Sequence, residues 1–149
     1  MRFGRRRGKE PAELDPAVTQ RLQAFQEIHA ERLAGLTRLQ QEVAAIGSTR
    51  STFEGQLVAL AEQREALAAD EKQAAERGRD DLVAQARERV TRLEAKVAEV
   101  EALHQEAVQT EASLVRAERQ ERLVVDELTR QKTAIEGHAE QLRNLLRSD

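Results

Sequence analysis

Glu101 and His104 are the residues of this sequence whose types and spacing come nearest to a site of chemistry. They form the pattern Glu-x-x-His, with which helical di-iron proteins present two metal ligands on one helix face. Such a centre needs a second copy of the pattern and two further glutamates, and the sequence has no second Glu-x-x-His. A polar residue among the apolar contacts of a coiled coil more often sets alignment or partner choice. We therefore predict no metal site and no cofactor, and expect His104 to act in alignment.

The sequence supports no pairing of a nucleophile with a base. Cysteine is absent, which excludes thiolate chemistry and disulfides, and the seven glycines are scattered instead of forming a phosphate-binding loop. Long amphipathic helices also lack a pocket that excludes water from a nucleophile. We predict that the chain is not an enzyme.

The start of the chain is strongly basic. Residues 1–9 carry five bases and no acid, whereas the rest of the sequence has 19 bases against 27 acids. A basic tail on an acidic chain suits an anionic lipid surface or nucleic acid, and the alternative is a disordered segment that only aids solubility. Nucleic acid is the weaker expectation, because the acidic remainder repels phosphate and there is no Trp or Tyr for base stacking. The candidate membrane- or anion-binding residues are Arg2, Phe3, Arg5, Arg6, Arg7 and Lys9.

The hydropathy pattern predicts a cytoplasmic protein. No apolar run approaches the roughly 18–20 residues that span a bilayer. The charged start is not followed by the apolar stretch of a signal peptide. Peripheral attachment to the inner face of the cell membrane is the arrangement that the basic tail favours.

Composition favours long helices over a globular core. Charged residues make up 34% of the 149 residues and aromatic residues only 2%. Ala, Glu, Leu and Arg dominate, as in coiled coils. Asp15-Pro16 is a helix start, because Asp suits the N-cap and Pro suits the first helical position, and no proline follows. We predict an all-α fold.

Two heptad ladders give the predicted helices a narrow apolar seam. Eight of the nine positions spaced by seven from Val18 to Ala74 are apolar, and so are eight of nine from Ala86 to Leu142. This period lets two helices pack as a coiled coil. The predicted seam consists of Val18, Phe25, Leu39, Ile46, Phe53, Leu60, Leu67, Leu93, Val100, Leu114, Leu128, Ile135 and Leu142.

The register of the two ladders breaks between Ala74 and Ala86, which are 12 residues apart. Gly78 lies in this break and tolerates the left-handed conformation that ends a helix, while the acids after it suit a new helix start. We predict a disordered basic tail at 1–12 and a long antiparallel coiled-coil hairpin at 13–149, with arms of about 15–77 and 80–147. The predicted tip consists of Gly78, Arg79, Asp80, Asp81 and Leu82.

Gly47-Ser48-Thr49 is the rival position for a helix boundary. The apolar ladder keeps its register across it, from Leu39 through Ile46 to Phe53. We expect a local weakness within one helix at this point and no turn.

Polar residues interrupt the seam rows. If the chain reverses at Gly78, Arg50 is expected within about one turn of Glu111. A loose, partly wet coiled coil is one interpretation, and a surface for further subunits is the other. Apolar residues beside the seam, including Val108, Val124 and Leu145, favour self-assembly. The polar seam residues are Arg32, Arg50, Arg64, Glu71, Glu111, Glu118, Glu121 and Lys132.

Two segments resemble the phage-shock-protein-A family. Asp15-Pro16 is similar to the start of that family's hairpin, and Lys72–Arg87, which contains Gly-Arg-Asp-Asp-Leu-Val-Ala, is similar to its hairpin tip. The resemblance implies a short, hairpin-only relative. It also implies a cytoplasmic, membrane-associated protein that assembles with copies of itself and protects stressed membranes.

A second family provides the alternative. The length and helical pattern of the chain are also similar to the flagellar export stalk protein of type III secretion, a helical hairpin that binds an ATPase ring. This likeness implies an adaptor that binds a protein partner and has no affinity for lipid.

Overall fold

The computed structural model describes residues 14–148 of the chain. Two helices, α1 at Pro16–Glu76 and α2 at Asp80–Ser148, account for nearly all of these residues, and no strand occurs among them. The prediction of an all-α helical hairpin is confirmed. The predicted basic tail, residues 1–12, lies outside the described residues.

Asp15 caps the start of α1. Its Oδ1 accepts a hydrogen bond from the backbone N–H of Ala17 at 2.8 Å, and its carbonyl oxygen accepts from the N–H groups of Val18 and Thr19. Pro16 is the first helical residue, where its missing N–H leaves no bond unmade. The capping carboxylate therefore satisfies one of the otherwise unpaired N–H groups of the first turn.

Gly78 ends α1 in a left-handed conformation, with φ of 67°. The N–H of Arg79 donates to the carbonyl of Ala74 at 2.9 Å, and the N–H of Gly78 donates to that of Ala75 at 3.1 Å. These two bonds form a Schellman motif, which satisfies the last carbonyls of α1. The carbonyl of Arg79 then accepts from the N–H groups of Leu82 and Val83, so α2 starts at once. A turn of this kind reverses the chain within three residues.

Helix α1 continues through Gly47, Ser48 and Thr49, the rival position for a boundary. The hydroxyl of Thr49 donates to the carbonyl of Ala45 at 3.2 Å, which is an ordinary way to satisfy a hydroxyl inside a helix. The chain therefore has no turn at this position.

The contacts divide the hairpin into two compact units. The tip half comprises Gln40–Arg116. The open half comprises, of the described residues, 14–39 and 117–148. In the tip half the buried apolar residues are Ala74, Ala86, Val100 and Ala107; in the open half they are Leu36, Val125 and Ala139. Alanine dominates this list, so each half is held by a thin seam and not by a thick core.

Neither helix could cross a membrane, because no segment of the described residues is both long enough and apolar enough to do so.

Candidate interaction surfaces

Ten of the thirteen predicted seam residues are buried or half-buried. The other three, Val18, Ile135 and Leu142, are exposed, and all three lie in the open half. Val18, Phe25 and Ile135 line an open cavity of about 340 Å³ in that half. The heptad pattern therefore indicates the face on which these residues lie, but the opposite helix covers that face only in part.

Arg50 is the centre of a polar cluster in the tip half. Its Nε donates to Glu111 Oε2 at 2.6 Å, and its Nη1 donates to Glu54 Oε1 at 2.7 Å. The same Glu54 oxygen lies 3.2 Å from His104 Nε2. Three seam positions, Arg50, His104 and Glu111, and one flanking position, Glu54, are thus joined across the helix pair by polar contacts.

This cluster shifts the pKa values of Glu54 and Arg50. The hydrogen bond with His104, followed by that with Arg50, lowers the pKa of Glu54. The carboxylates of Glu111 and Glu54, in that order, raise the pKa of the Arg50 guanidinium further above its ordinary value. Both shifts favour the charged forms and therefore favour the bonded arrangement.

Two further ion pairs connect the helices of the tip half. Arg64 Nη2 lies 3.0 Å from Glu94 Oε1, and Arg87 Nε donates to Glu71 Oε1 at 2.7 Å. The two members of each pair, like Glu54 and His104, are equally far along the chain from Arg79. The polar contacts therefore agree on a single alignment of the two helices.

The open half has its own polar contacts between the helices. His29 Nε2 lies 2.8 Å from Thr129 Oγ1, and Arg32 Nη1 lies 3.2 Å from Glu121 Oε2. Gln26 Nε2 donates to Glu136 Oε1 at 3.3 Å. Polar seam residues thus find partners on the other helix in this half as well.

His104 contacts Glu54 of α1 and does not form a site with Glu101, its partner in the Glu-x-x-His pattern. Residues 14–148 contain no group of three or more His, Cys, Asp or Glu side chains placed to hold a metal ion. Glu54 lies outside the two predicted seam rows. The signal that identifies it is its position beside the seam at the same distance from the tip as His104.

Four exposed apolar residues share one position of the heptad repeat on α2, and the residues at the same position between them are Arg89, Lys96, Thr110, Ala117, Gln131 and His138. Leu82, Leu103, Val124 and Leu145 are 21 residues apart, which is three heptads, and are 39%, 41%, 40% and 64% exposed. We call these four residues the flank row. Because 21 residues are a whole number of heptads, the four have the same position in the heptad repeat; Leu82 and Leu103 lie in the tip half, and Val124 and Leu145 lie in the open half. Leu103 is not among the apolar residues that the sequence analysis names beside the seam, although its spacing of 21 residues from Leu82 and from Val124 is visible in the sequence.

Leu103 borders a groove in the tip half. With Ile46, Phe53 and Ala107 it lines an open groove of about 230 Å³. The groove continues the apolar surface of the seam outward to solvent. Leu103, a member of the flank row, therefore lies beside the seam residues of the tip half and is not an isolated exposed residue.

The predicted tip residues occupy the chain reversal. Arg79 forms two contacts of 3.2 and 3.1 Å with the carboxylate of Asp81, and this pairing lowers the pKa of Asp81. Leu82 follows and is exposed, beside an open cavity of about 270 Å³ that Leu67, Ala74 and Ala86 also line. The predicted anion-binding residues, Arg2 to Lys9, lie outside the described residues.

Comparisons with protein-family models, with curated proteins and with solved structures find no match to this chain. The likeness to the phage-shock-protein-A family therefore stays an expectation based on the residues around Asp15 and Gly78.

Proposed function

We propose that this protein is a non-catalytic coiled-coil protein that assembles with copies of itself and attaches peripherally to the inner face of the cell membrane. The observation that carries the self-assembly part is the flank row, which leaves a large apolar side chain in water beside the seam at every third heptad. Maintenance of a stressed envelope is the role that the phage-shock-protein-A resemblance suggests.

The flank row supports assembly because its members are exposed and apolar at the heptad position beside the seam, where a further helix of a coiled coil packs. Covering the exposed part of a side chain such as Leu103 contributes about 1 kcal/mol. In the tip half, a further helix that packs beside the seam covers Leu103 together with Ile46 and Phe53 of the groove that it borders. A second copy of the chain supplies such a helix.

The basic tail supports membrane attachment through its charge. Each Lys or Arg near an anionic lipid surface contributes about 1 kcal/mol. Five such residues precede Asp15, the residue at which α1 begins. The tail is therefore tethered to the open half of the hairpin.

Assembly is tested by size-exclusion chromatography with light scattering. We expect the wild type to be larger than a monomer and the double variant Leu103→Gln, Val124→Gln to shift to the monomer. Val58→Gln is the matched control, because Val58 is also exposed but does not belong to the flank row. Circular dichroism verifies that every variant stays helical. A wild type that is monomeric at all concentrations contradicts the assembly proposal.

Membrane attachment is tested by sedimentation with vesicles. We expect binding to vesicles that contain phosphatidylglycerol and little binding to pure phosphatidylcholine. Replacing Arg5, Arg6 and Arg7 by Ser lowers the affinity about a hundredfold on the scale of the electrostatic contribution per base. If the chain is monomeric, binds neither kind of vesicle and forms a stable complex with an ATPase, the result supports the adaptor alternative instead.

A further inference from the structure

We propose that residues 137–148 of α2 form a lipid-contacting element, in which Leu142, Leu145 and Leu146 enter the surface of an anionic membrane. The inference rests on the proposed membrane attachment and names the part of the hairpin that meets the lipid. The proposed function assigns only charge attraction to the tail, whereas this element supplies apolar contact.

The three leucines lie on one face of α2 and are open to solvent. Residues at spacings of three and four are neighbours on a helix surface. Leu142, Leu145 and Leu146 have this spacing and are 48%, 64% and 53% exposed. The three leucines therefore form an exposed apolar cluster at the end of α2.

The position of α1 explains why these leucines are uncovered. The contacts Gln26–Glu136 and His29–Thr129 set the alignment of the open half. Continuing both helices outward from these contacts places Pro16, the first residue of α1, level with residues 142–146 of α2. The last turns of α2 therefore have almost no α1 surface opposite them.

The charged residues next to the leucines are arginines. Arg143 follows Leu142 and Arg147 follows Leu146, and the acids in this part of the sequence are Glu136, Glu140 and Asp149. Arg143 Nη1 lies 3.8 Å from Glu140 Oε2, and both side chains are well exposed. A long arginine side chain can place its stem on the apolar surface and its guanidinium among lipid phosphates.

The basic tail makes lipid a better occupant than a second copy. It joins α1 at Asp15, level with the leucines, so its five bases are tethered beside them. Two copies that meet at this element bring two such tails together, and their like charges repel. Residues 1–13 contain only Met1 and Phe3 as large apolar residues and so offer the leucines little apolar surface. Leu145, the last member of the flank row, is thereby assigned to lipid and not to assembly.

A single tryptophan tests the proposal in the full chain. The sequence has no Trp or Tyr, so Leu145→Trp gives fluorescence without background. We expect vesicles containing phosphatidylglycerol to shift its emission to shorter wavelength and a quencher on the lipid chains to reduce it. Val58→Trp is the control, because Val58 is exposed in the tip half, and we expect no change there.

A charge variant gives the second measurement. Leu145→Glu with Leu146→Glu changes two exposed positions, so the helix is retained, and circular dichroism checks this. We expect vesicle affinity to fall at least about tenfold, because burial of both apolar side chains is lost and two carboxylates face the anionic lipid. Val58→Glu leaves the affinity unchanged.

The outcomes separate this inference from the proposed function. If the Leu145→Trp variant binds vesicles but its emission does not shift, the tryptophan is still in water. This result overturns the inference and leaves attachment through the tail intact. No vesicle binding at all overturns membrane attachment together with the inference. A blue shift that appears without vesicles and grows with protein concentration shows that a second copy covers the leucines, which also overturns the inference.

Discussion

Arg50 of α1 and Glu111 of α2 are 61 residues apart in the chain, yet their side chains meet at 2.6 Å in the seam of the tip half. The reversal at Gly78 brings them together, and Glu54 and His104 complete the cluster. Charged groups at apolar seam positions reduce stability compared with leucine but exclude alignments that would leave them unpaired.

Exchanging the charges of Arg50 and Glu111 tests this pairing. Arg50→Glu places a third carboxylate beside Glu54 and Glu111, and Glu111→Arg places two guanidinium groups together. We expect each single variant to unfold at lower denaturant concentration than the wild type. The double variant is expected to be more stable than the sum of the single effects predicts. Exchange of the exposed pair Arg92 and Glu88 is the control and is expected to show almost no coupling.

Substitution of glycine by alanine is expected to have opposite effects on stability at Gly78 and Gly55. Gly78 has φ of 67°, and nothing lies within 4 Å of an added Cβ, so Gly78→Ala is strained by its backbone alone. We expect it to lower the free energy of unfolding by about 1 kcal/mol. Gly55 lies inside α1 and is equally free of contacts, so Gly55→Ala is expected to raise the same quantity by about 1 kcal/mol. Urea denaturation measures both, and equal signs would contradict the assigned turn.

Val100 is the most deeply buried side chain among the described residues, with 1% of its surface exposed. Val100→Ala removes two carbon atoms from the seam and leaves a cavity. We expect a loss of about 2 kcal/mol in the free energy of unfolding. Leu123→Ala, at an exposed position, is the control and is expected to change it by less than about 0.5 kcal/mol. Similar losses for the two variants would mean that Val100 does not pack as described.

Acid is predicted to weaken the hairpin partly through Glu54. Its pKa is lowered from the ordinary value of 4.5 by His104 and Arg50, so the folded state binds this proton less tightly than the unfolded chain does. The ionised group therefore stabilises the fold fully above about pH 4.5, and this contribution is lost as the pH falls through the lower folded value. We expect Glu54→Gln to show a smaller loss of stability over this range than the wild type. Asp81 and Glu127, whose pKa values are also lowered, keep the same acid dependence in both proteins.

The sequence was sufficient to predict the hairpin because its signals are local and periodic. The ladder through Ile46 and Phe53 identifies the face that meets a partner helix, and the register break around Gly78 identifies the reversal. Once the reversal is known, counting outward from it brings Arg50 near Glu111, and the structure has these two side chains in contact.

The exposure of individual seam residues and the pairing of polar side chains could not be predicted from the heptad period alone. Val18, Ile135 and Leu142 keep the heptad period but are exposed, because coverage depends on how closely the other helix approaches. The contact of His104 with Glu54 depends on the rotamers of both side chains and on the exact alignment. The sequence predicts that His104 acts in alignment, but it does not identify Glu54 of the other helix as the residue that His104 contacts.

The alanines buried at 74, 86, 107 and 139 have a consequence for how faithfully the two helices find each other. A methyl group is small and symmetric, so its packing does not distinguish one alignment from another. Sliding one helix by seven residues exchanges one alanine contact for a similar one. Such a slip changes the buried apolar area little, but it separates Arg50 from Glu111 and Glu71 from Arg87. In this protein the buried alanines let the two helices pack closely, and the charged residues determine which alignment of the helices forms.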